Sequence, residues 1–204
     1  LCRARGVWLS LDPKPVHELS LVGLSLLTPN RREAFELAGV TVSPQLFVEQ
    51  ISSLRSRFSP PPLRDRVENL RQGRPIPPRA VAVTFDDGYE ETLEVACPIL
   101  RRWGVPASLF VTTGWISPTP PRHRGLSRTT LQWLKREGWE IGSHTVSHPN
   151  LASCGLRRVR EELRRSRGQL EDLLGAPVTL FAYPYGTPGC FNGMVKAEVR
   201  KAGY

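Results

Sequence analysis

From Ala80 onward, short apolar runs alternate with amphipathic stretches, and this alternation constrains the fold more than any other feature of the chain. Ala80 to Phe85 (AVAVTF), Pro106 to Thr112 (PASLFVT), Trp139 to Gly142 and Val178 to Ala182 read as strands. Glu90 to Trp103, Ser127 to Arg136 and Leu156 to Leu174 read as helices between them, and Met194 to Ala202 as a last helix. The first of these contains Pro98, which is expected to bend it. The second starts on Ser127 as its cap and turns Leu131 and Leu134 inward. The third carries Leu163, Leu170 and Leu173-Leu174 among charged residues and stops at Gly175. Strands and helices in alternation predict an α/β fold with parallel strands.

Upstream the signal is weaker. Residues 1–43 mix Pro, Arg and short apolar runs without a sustained period and read as an irregular leader. Ser43-Pro44 then starts a helix, with Phe47, Ile51 and Leu54 at helical spacing. Ser59-Pro60-Pro61-Pro62 breaks it, and a further weak helix is expected over 63–71. The run Leu19 to Leu27 is apolar but too short to span a bilayer, and it lacks the basic flank and cleavage site of a secretory signal. The chain begins at Leu1 rather than Met, so the lack of a signal says little about location.

With 204 residues the chain has length for one domain, or for one domain plus an extension. Its formal charge of +9 comes mostly from arginines spread along the sequence, among them Arg31-Arg32, Arg101-Arg102, Arg157-Arg158 and Arg164-Arg165. A nucleic-acid binder gathers such residues on one face beside a reading motif, and none is present, so a solvated basic surface is expected and no nucleic acid. Cys2, Cys97, Cys154 and Cys190 include no pair at the spacing of a metal or redox motif. Cys97 falls in an apolar helical pattern and reads as a small core residue.

Three polar clusters follow three of the strands: Asp86-Asp87-Gly88, His144-Thr145-Val146-Ser147-His148 and Tyr183-Pro184-Tyr185-Gly186. In parallel α/β folds the ligand site lies at the carboxyl ends of the strands, so the three clusters are expected to converge. Adjacent carboxylates repel each other and resist burial, and a nearby cation relieves both. The plainer alternative has one Asp capping a helix and the other facing water. His144 and His148 stand four apart, which on a helical turn would put both imidazoles on one side of a cation. Their plainer alternative is a pair of surface or capping histidines. Two imidazoles and a carboxylate suit Zn²⁺ with an open position, and also Fe²⁺, Co²⁺ or Mn²⁺. The remaining Asp could accept a proton as water attacks a carbonyl. A backbone N–H in the Tyr-Pro-Tyr-Gly turn could face the developing oxyanion, although this segment also reads as a plain turn.

These segments together resemble the polysaccharide deacetylase family, also called the NodB-homology domain or carbohydrate esterase family 4. TFDDG at 84–88 is similar to the family's first motif, HTVSH at 144–148 to its second and FAYPYG at 181–186 to its third. PILRRWGVPASLFVTTG, LQWLKREGWEIGSH and ELRRSRGQLEDLLG are similar as well, and the resemblance runs from about Thr41 to Tyr204. It implies a distorted, incomplete (β/α) barrel of the NodB-homology type over residues 44–204, lacking its C-terminal part. It implies Asp86 as catalytic base, Asp87, His144 and His148 as metal ligands, and Tyr185 with its backbone N–H in an oxyanion hole beside Pro184 as the substrate-facing turn. The implied cofactor is a divalent metal, Zn²⁺ first, with Co²⁺, Mn²⁺, Fe²⁺ or Ni²⁺ as alternatives. The implied activity removes N-acetyl groups from an amino-sugar polysaccharide or oligosaccharide, which points to the bacterial cell envelope or the extracellular space.

The sequence also departs from the family pattern. Many members carry Arg two residues before the Pro of the third motif, where Ala182 stands here. The fourth motif, acidic and Trp-containing, and the fifth, Leu-x-His, do not occur in these 204 residues, nor is a Tyr-His-x-Val segment found in residues 1–40. A catalytically impaired remnant that binds metal or glycan is therefore the second reading. A non-haem iron oxygenase is a third, and the α/β alternation argues against it.

Overall fold

Val81 to Phe85 place five apolar or small residues in succession, and all five side chains are buried. The computed structural model describes residues 10–11, 26–27, 44–75, 78–90, 92–116, 125–187 and 189–204. Within it the chain divides into two compact units, Leu1–Phe85 with Glu91–Ser108, and Asp86–Glu90 with Leu109–Tyr204.

In the first unit, β1 (Ser10–Leu11), β2 (Leu26–Leu27) and β3 (Ala82–Phe85) pair in parallel, with Ser10 opposite Leu26 and Leu26 opposite Ala82. Two pieces of the leader, expected to be irregular, are therefore strands. The rest of it lies outside the described residues, as does Cys2. Ala80 is not part of β3 but bridges to Ser59. The helix α1 (Pro44–Arg57) buries Phe47, Ile51 and Leu54, one face at intervals of four and three. Phe47 meets Phe85 edge to face at 6.5 Å between ring centres. A second helix, α2, covers Leu63–Arg71.

The helix expected over Glu90 to Trp103 is broken in character. Thr92–Ala96 form a π-helical turn and only Cys97–Trp103 are α-helical, as α3. Pro98 accounts for the change, because it lacks an N–H and its ring crowds the preceding turn, so regular α-helix resumes only where Pro falls in the first turn. Gly104 ends α3 in the left-handed conformation at φ 59°. Cys97 is buried in the core.

Strand β4 (Ala107–Val111), wholly buried, leads into the second unit. There β5 (Glu140–Ser143) continues so that His144 N donates to Val111 O at 2.9 Å and Thr113 N donates to Thr145 O at 3.0 Å. Residue numbers rise together along both segments, so they run parallel. Gly142 in β5 permits close packing, since a Cβ there would stand 2.6 Å from the Phe110 ring. Val178 to Ala182 does not form the expected strand. Its pairing is one bridge, Phe181 to Ser143, with Ser143 N donating to Leu180 O and Ala182 N to Ser143 O. A pairing this short leaves Phe181 to Tyr183 half-buried and free to turn into the third motif.

The helices of the second unit follow the sequence closely. Helix α4 (Arg128–Arg136) starts on Ser127, whose Oγ accepts from Thr130 N, and buries Leu131 and Leu134. Helix α5 (Leu156–Leu174) stops at Gly175, φ 61°. Its inward stripe is Val159, Glu162, Leu163, Ser166, Leu170 and Leu173, while Leu174 is only partly covered. Burying a leucine such as Leu163 or Leu170 contributes about 1.5–3 kcal/mol. Helix α6 (Gly193–Lys201) starts on Asn192, which accepts from Val195 N. No helix among the described residues is long and apolar enough to cross a membrane.

Glu198 ties α6 to α5. It accepts from Arg160 Nε at 2.7 Å and from Lys201 Nζ at 3.1 Å. The bonds from Arg160, then those from Lys201, pull its carboxyl down from 4.5 to about 2. A depressed carboxyl stabilises the fold above its unfolded pKa, and this contribution fades as pH falls from 4.5 to about 2. Glu198→Gln is therefore expected to melt at a lower temperature than the parent at pH 7. Thermal denaturation across pH should show the gap closing between pH 4.5 and about 2, and a gap that persists there would contradict this account.

Candidate metal and catalytic site

The three polar clusters meet in the second unit. Asp87 follows β3, and His144 and His148 lie on the loop after β5. One ligand atom from each lies within 4.8 Å of the other two. Asp87 Oδ1 stands 3.7 Å from His144 Nε2 and 3.5 Å from His148 Nε2. Asp87 and His144 are almost wholly buried and His148 is 17% exposed.

The two histidines reach this position by a route other than the expected helical turn. Residues 144–148 are not helical. Thr145 and His148 take left-handed backbone angles, φ 70° and 56°, and fold the segment back so that residues four apart face one point. Asp87 (φ 73°) and Tyr185 (φ 64°) are left-handed too. Such a conformation costs a residue with a side chain roughly 1–2 kcal/mol, and it persists only where surrounding bonds fix it.

Those bonds are present. Glu162, buried on α5, accepts from Val146 N (2.8 Å), Ser147 N (3.0 Å) and Ser147 Oγ (2.5 Å). Thr145 Oγ1 accepts from His148 N at 3.0 Å, and Val146 O accepts from Gly114 N at 2.8 Å. Glu162 escapes a reading of motifs, but it carries a signal: an acidic residue on the apolar stripe of an amphipathic helix needs a partner in the interior.

The electrostatics fit a cation. His144 Nδ1 lies 2.9 Å from Ala182 O and can only donate to it, which leaves the Nε2 lone pair turned toward Asp87. Burial lowers the His144 pKa, against the pull of Asp87, and so favours the neutral ring that can ligate. Burial raises the Asp87 carboxyl, opposed by His144 and His148, with Asp86 raising it further and a Tyr89 hydrogen bond lowering it. Asp87 Oδ1 is itself buried with no hydrogen-bond partner. A buried carboxylate oxygen without a protein donor, facing two imidazole nitrogens, is suited to a positive charge.

Asp86 is half-buried beside this set, and burial pushes its carboxyl up to about 6. Tyr185 is 59% exposed and its ring packs edge-on against His148 at 4.7 Å. Pro184 is buried behind it. Among the described residues the Tyr185 backbone N–H has no hydrogen-bond partner. Asp86, Asp87, His144, His148, Pro184 and Tyr185 thus all fall in the second unit. Two further residues that no motif marks stand here: Tyr89, which bonds Asp87, and Trp115, whose ring lies 5.5 Å from that of His148.

A two-histidine, one-carboxylate set that could hold a metal ion, carried by parallel α/β structure, defines the class of the site. The chain belongs to the polysaccharide deacetylase family, whose model matches residues 73–204. It is similar to the poly-β-1,6-N-acetyl-D-glucosamine N-deacetylase of Staphylococcus aureus, strain MRSA252, at 27% identity over 179 residues, 82% of this chain and 60% of that protein. It is 25% identical to Bacillus subtilis YxkH over 135 residues, spanning 66% of itself and only 46% of YxkH. Among solved structures, the Streptococcus pyogenes deacetylase PplD in complex with acetate aligns with a TM-score of 0.74 at 23% identity, covering 88% of this chain and 77% of that one. IcaB from Ammonifex degensii aligns at 0.70 and 24%, covering 89% and 81%. At these identities the structural matches show the fold, that of NodB-type deacetylase domains, in agreement with the α/β fold expected from sequence.

Glu162→Ala leaves three donors without their acceptor and is expected to cost roughly 2–4 kcal/mol of metal-free stability. Denaturant unfolding checks this, and a loss under about 0.5 kcal/mol, the range of ordinary surface changes, would refute Glu162 as the anchor of the loop.

Proposed function

We propose that the chain is a metal-dependent hydrolase that removes N-acetyl groups from an amino-sugar polymer. One observation carries the reading: the buried, partnerless Asp87 Oδ1 lies 3.5–3.7 Å from two imidazole nitrogens. Asp87, His144 and His148 would hold one divalent cation, and the nitrogen-rich donor set makes Zn²⁺ the first choice. Such an ion, when bound, supplies hydroxide near neutral pH and Lewis acidity toward a carbonyl oxygen.

The remaining roles belong to the chain. Asp86 takes the proton of the attacking water and, once protonated, can return it to the amine as the C–N bond breaks. The Tyr185 N–H faces the carbonyl oxygen as it becomes negative, and Tyr185 with Pro184 forms the wall against which the acetamido group rests. Residues 44–204 are the deacetylase domain on this reading, with 1–43 leading into it. The S. aureus relative is named for poly-β-1,6-N-acetyl-D-glucosamine, which makes that polymer the first substrate to try. A substrate of this kind would place the protein at the cell envelope or outside the cell.

The test joins elemental analysis to acetate release from N-acetylglucosamine oligomers. The parent chain is expected to hold about one zinc, as a single set of three ligands with an open position implies. His144→Ala should lose the zinc. Asp86→Asn should keep it while acetate release falls by about 10²–10⁴-fold. Acetate released by Asp86→Asn at the parent rate would overturn the assigned base, and a zinc content unchanged in His144→Ala would overturn the ligand set.

A further inference from the structure

Each of the three clustered side chains has a support of its own. The backbone carbonyl of Ala182 holds His144. The Tyr89 hydroxyl hydrogen-bonds the Asp87 carboxylate. His148 is flanked by Tyr185, edge-on at 4.7 Å, and by Trp115, at 5.5 Å between ring centres and 30° between planes. Tyr89 and Trp115 are in turn stacked on each other, 5.8 Å apart and 25° from parallel. The two supports of Asp87 and His148 are therefore one assembly.

The backbone places Trp115 tightly. Thr113–Trp115 form a single 3-10 turn, closed by Trp115 N donating to Thr112 O at 3.0 Å. Thr113 N and Gly114 N donate to Thr145 O and Val146 O, so the turn is bonded to the loop that carries the histidines. A Cβ on Gly114 would stand 2.5 Å from Val146 O, and one on Gly125 would stand 1.7 Å from Trp115 O. Glycine is required at both positions for the chain to pass this close to the Trp115 turn. Yet Trp115 is 37% exposed, among the few large apolar side chains that the described residues leave open. A core role does not account for so tightly fixed a ring at the surface.

We infer that the stacked Tyr89–Trp115 pair is a positioning device for the metal, with Tyr89 aiming the Asp87 carboxylate and Trp115 fixing the rotation of the His148 imidazole. The inference rests on the metal-binding reading above and deepens it. The imidazole of His148 hangs from a strained, left-handed residue and is more open to solvent than that of His144. A tilted ring contact with the indole, 30° between planes, restricts the imidazole without using its lone pairs. Outer partners of this kind are worth about 10–100-fold in metal affinity.

The 204-residue chain, stripped with a chelator, is titrated with Zn²⁺ against a chromophoric competitor, and with Co²⁺ for its visible ligand-field spectrum. Trp115→Ala is expected to weaken Zn²⁺ by about 10–100-fold and to alter the Co²⁺ bands, while Trp115→Phe restores most of the affinity. Tyr89→Phe keeps the stacked ring, loses only the hydroxyl, and should also weaken binding. Far-UV circular dichroism of each metal-free variant reports its fold. Parent affinity in either Trp115→Ala or Tyr89→Phe overturns the inference, and should Trp115→Ala not fold, Tyr89→Phe decides alone. A parent chain that takes up no zinc overturns the metal reading itself, and this inference with it.

Discussion

Asp87 is the point on which the second unit turns. Its Oδ1 is withdrawn from water, receives no donor and faces two imidazoles, one of which, His144, is favoured in its neutral form by burial. An uncompensated carboxylate in such surroundings would cost several kcal/mol or protonate. The surrounding structure keeps it there even so. Thr112 N donates to Asp87 O and Leu126 N to Gly88 O, so the strand end and the chain after it are clamped from both sides. Asp87, His144 and His148 thus form a set that could hold a metal ion.

The support reaches outward through α5. Glu162 holds the histidine loop, and one helical turn further Ser166 bonds Ser143 at the end of β5 and lies 3.2 Å from the Tyr204 hydroxyl. Tyr204 also donates to Leu163 O and packs against Phe181, beside the third motif. One face of one helix therefore fixes the end of β5, the histidine loop and the approach to Tyr185. Its opposite face carries Arg157, Arg158, Arg164 and Arg165 in solvent, the solvated basic surface expected from composition.

Much of this was legible in the residues. Helix ends marked by a local signal, Ser127 at the start of α4 and Gly175 at the end of α5, could be read almost to the residue, because local bonds decide them. The first two motifs could be placed at strand ends, because the segments before Asp86 and His144 read as strands and form β3 and β5. What could not be read was set by tertiary bonds. Nothing local says that HTVSH folds through two left-handed residues rather than a helical turn, since Glu162 and Gly114, both distant in sequence, impose that path. The failure of Val178 to Ala182 to form a full strand has the same origin, for an apolar run cannot report how many residues its neighbour will pair. Tyr89 and Trp115 read as ordinary aromatics until their rings are seen stacked beside Asp87 and His148.

The left-handed residues have a consequence for how such a chain can be altered. Among the described residues only Arg79, Asp87, Thr145, His148 and Tyr185 take positive φ without being glycine, and all but Arg79 stand at the site. Glycine at Asp87 or Tyr185 would relieve roughly 1–2 kcal/mol of backbone strain while deleting a side chain from the site, whereas at Thr145 it would also remove the Oγ1 that accepts from His148 N. Selection for thermostability alone would thus drift toward a firmer protein with an emptied centre. In a library sorted only by heat resistance, the loss of these side chains would pass as improvement.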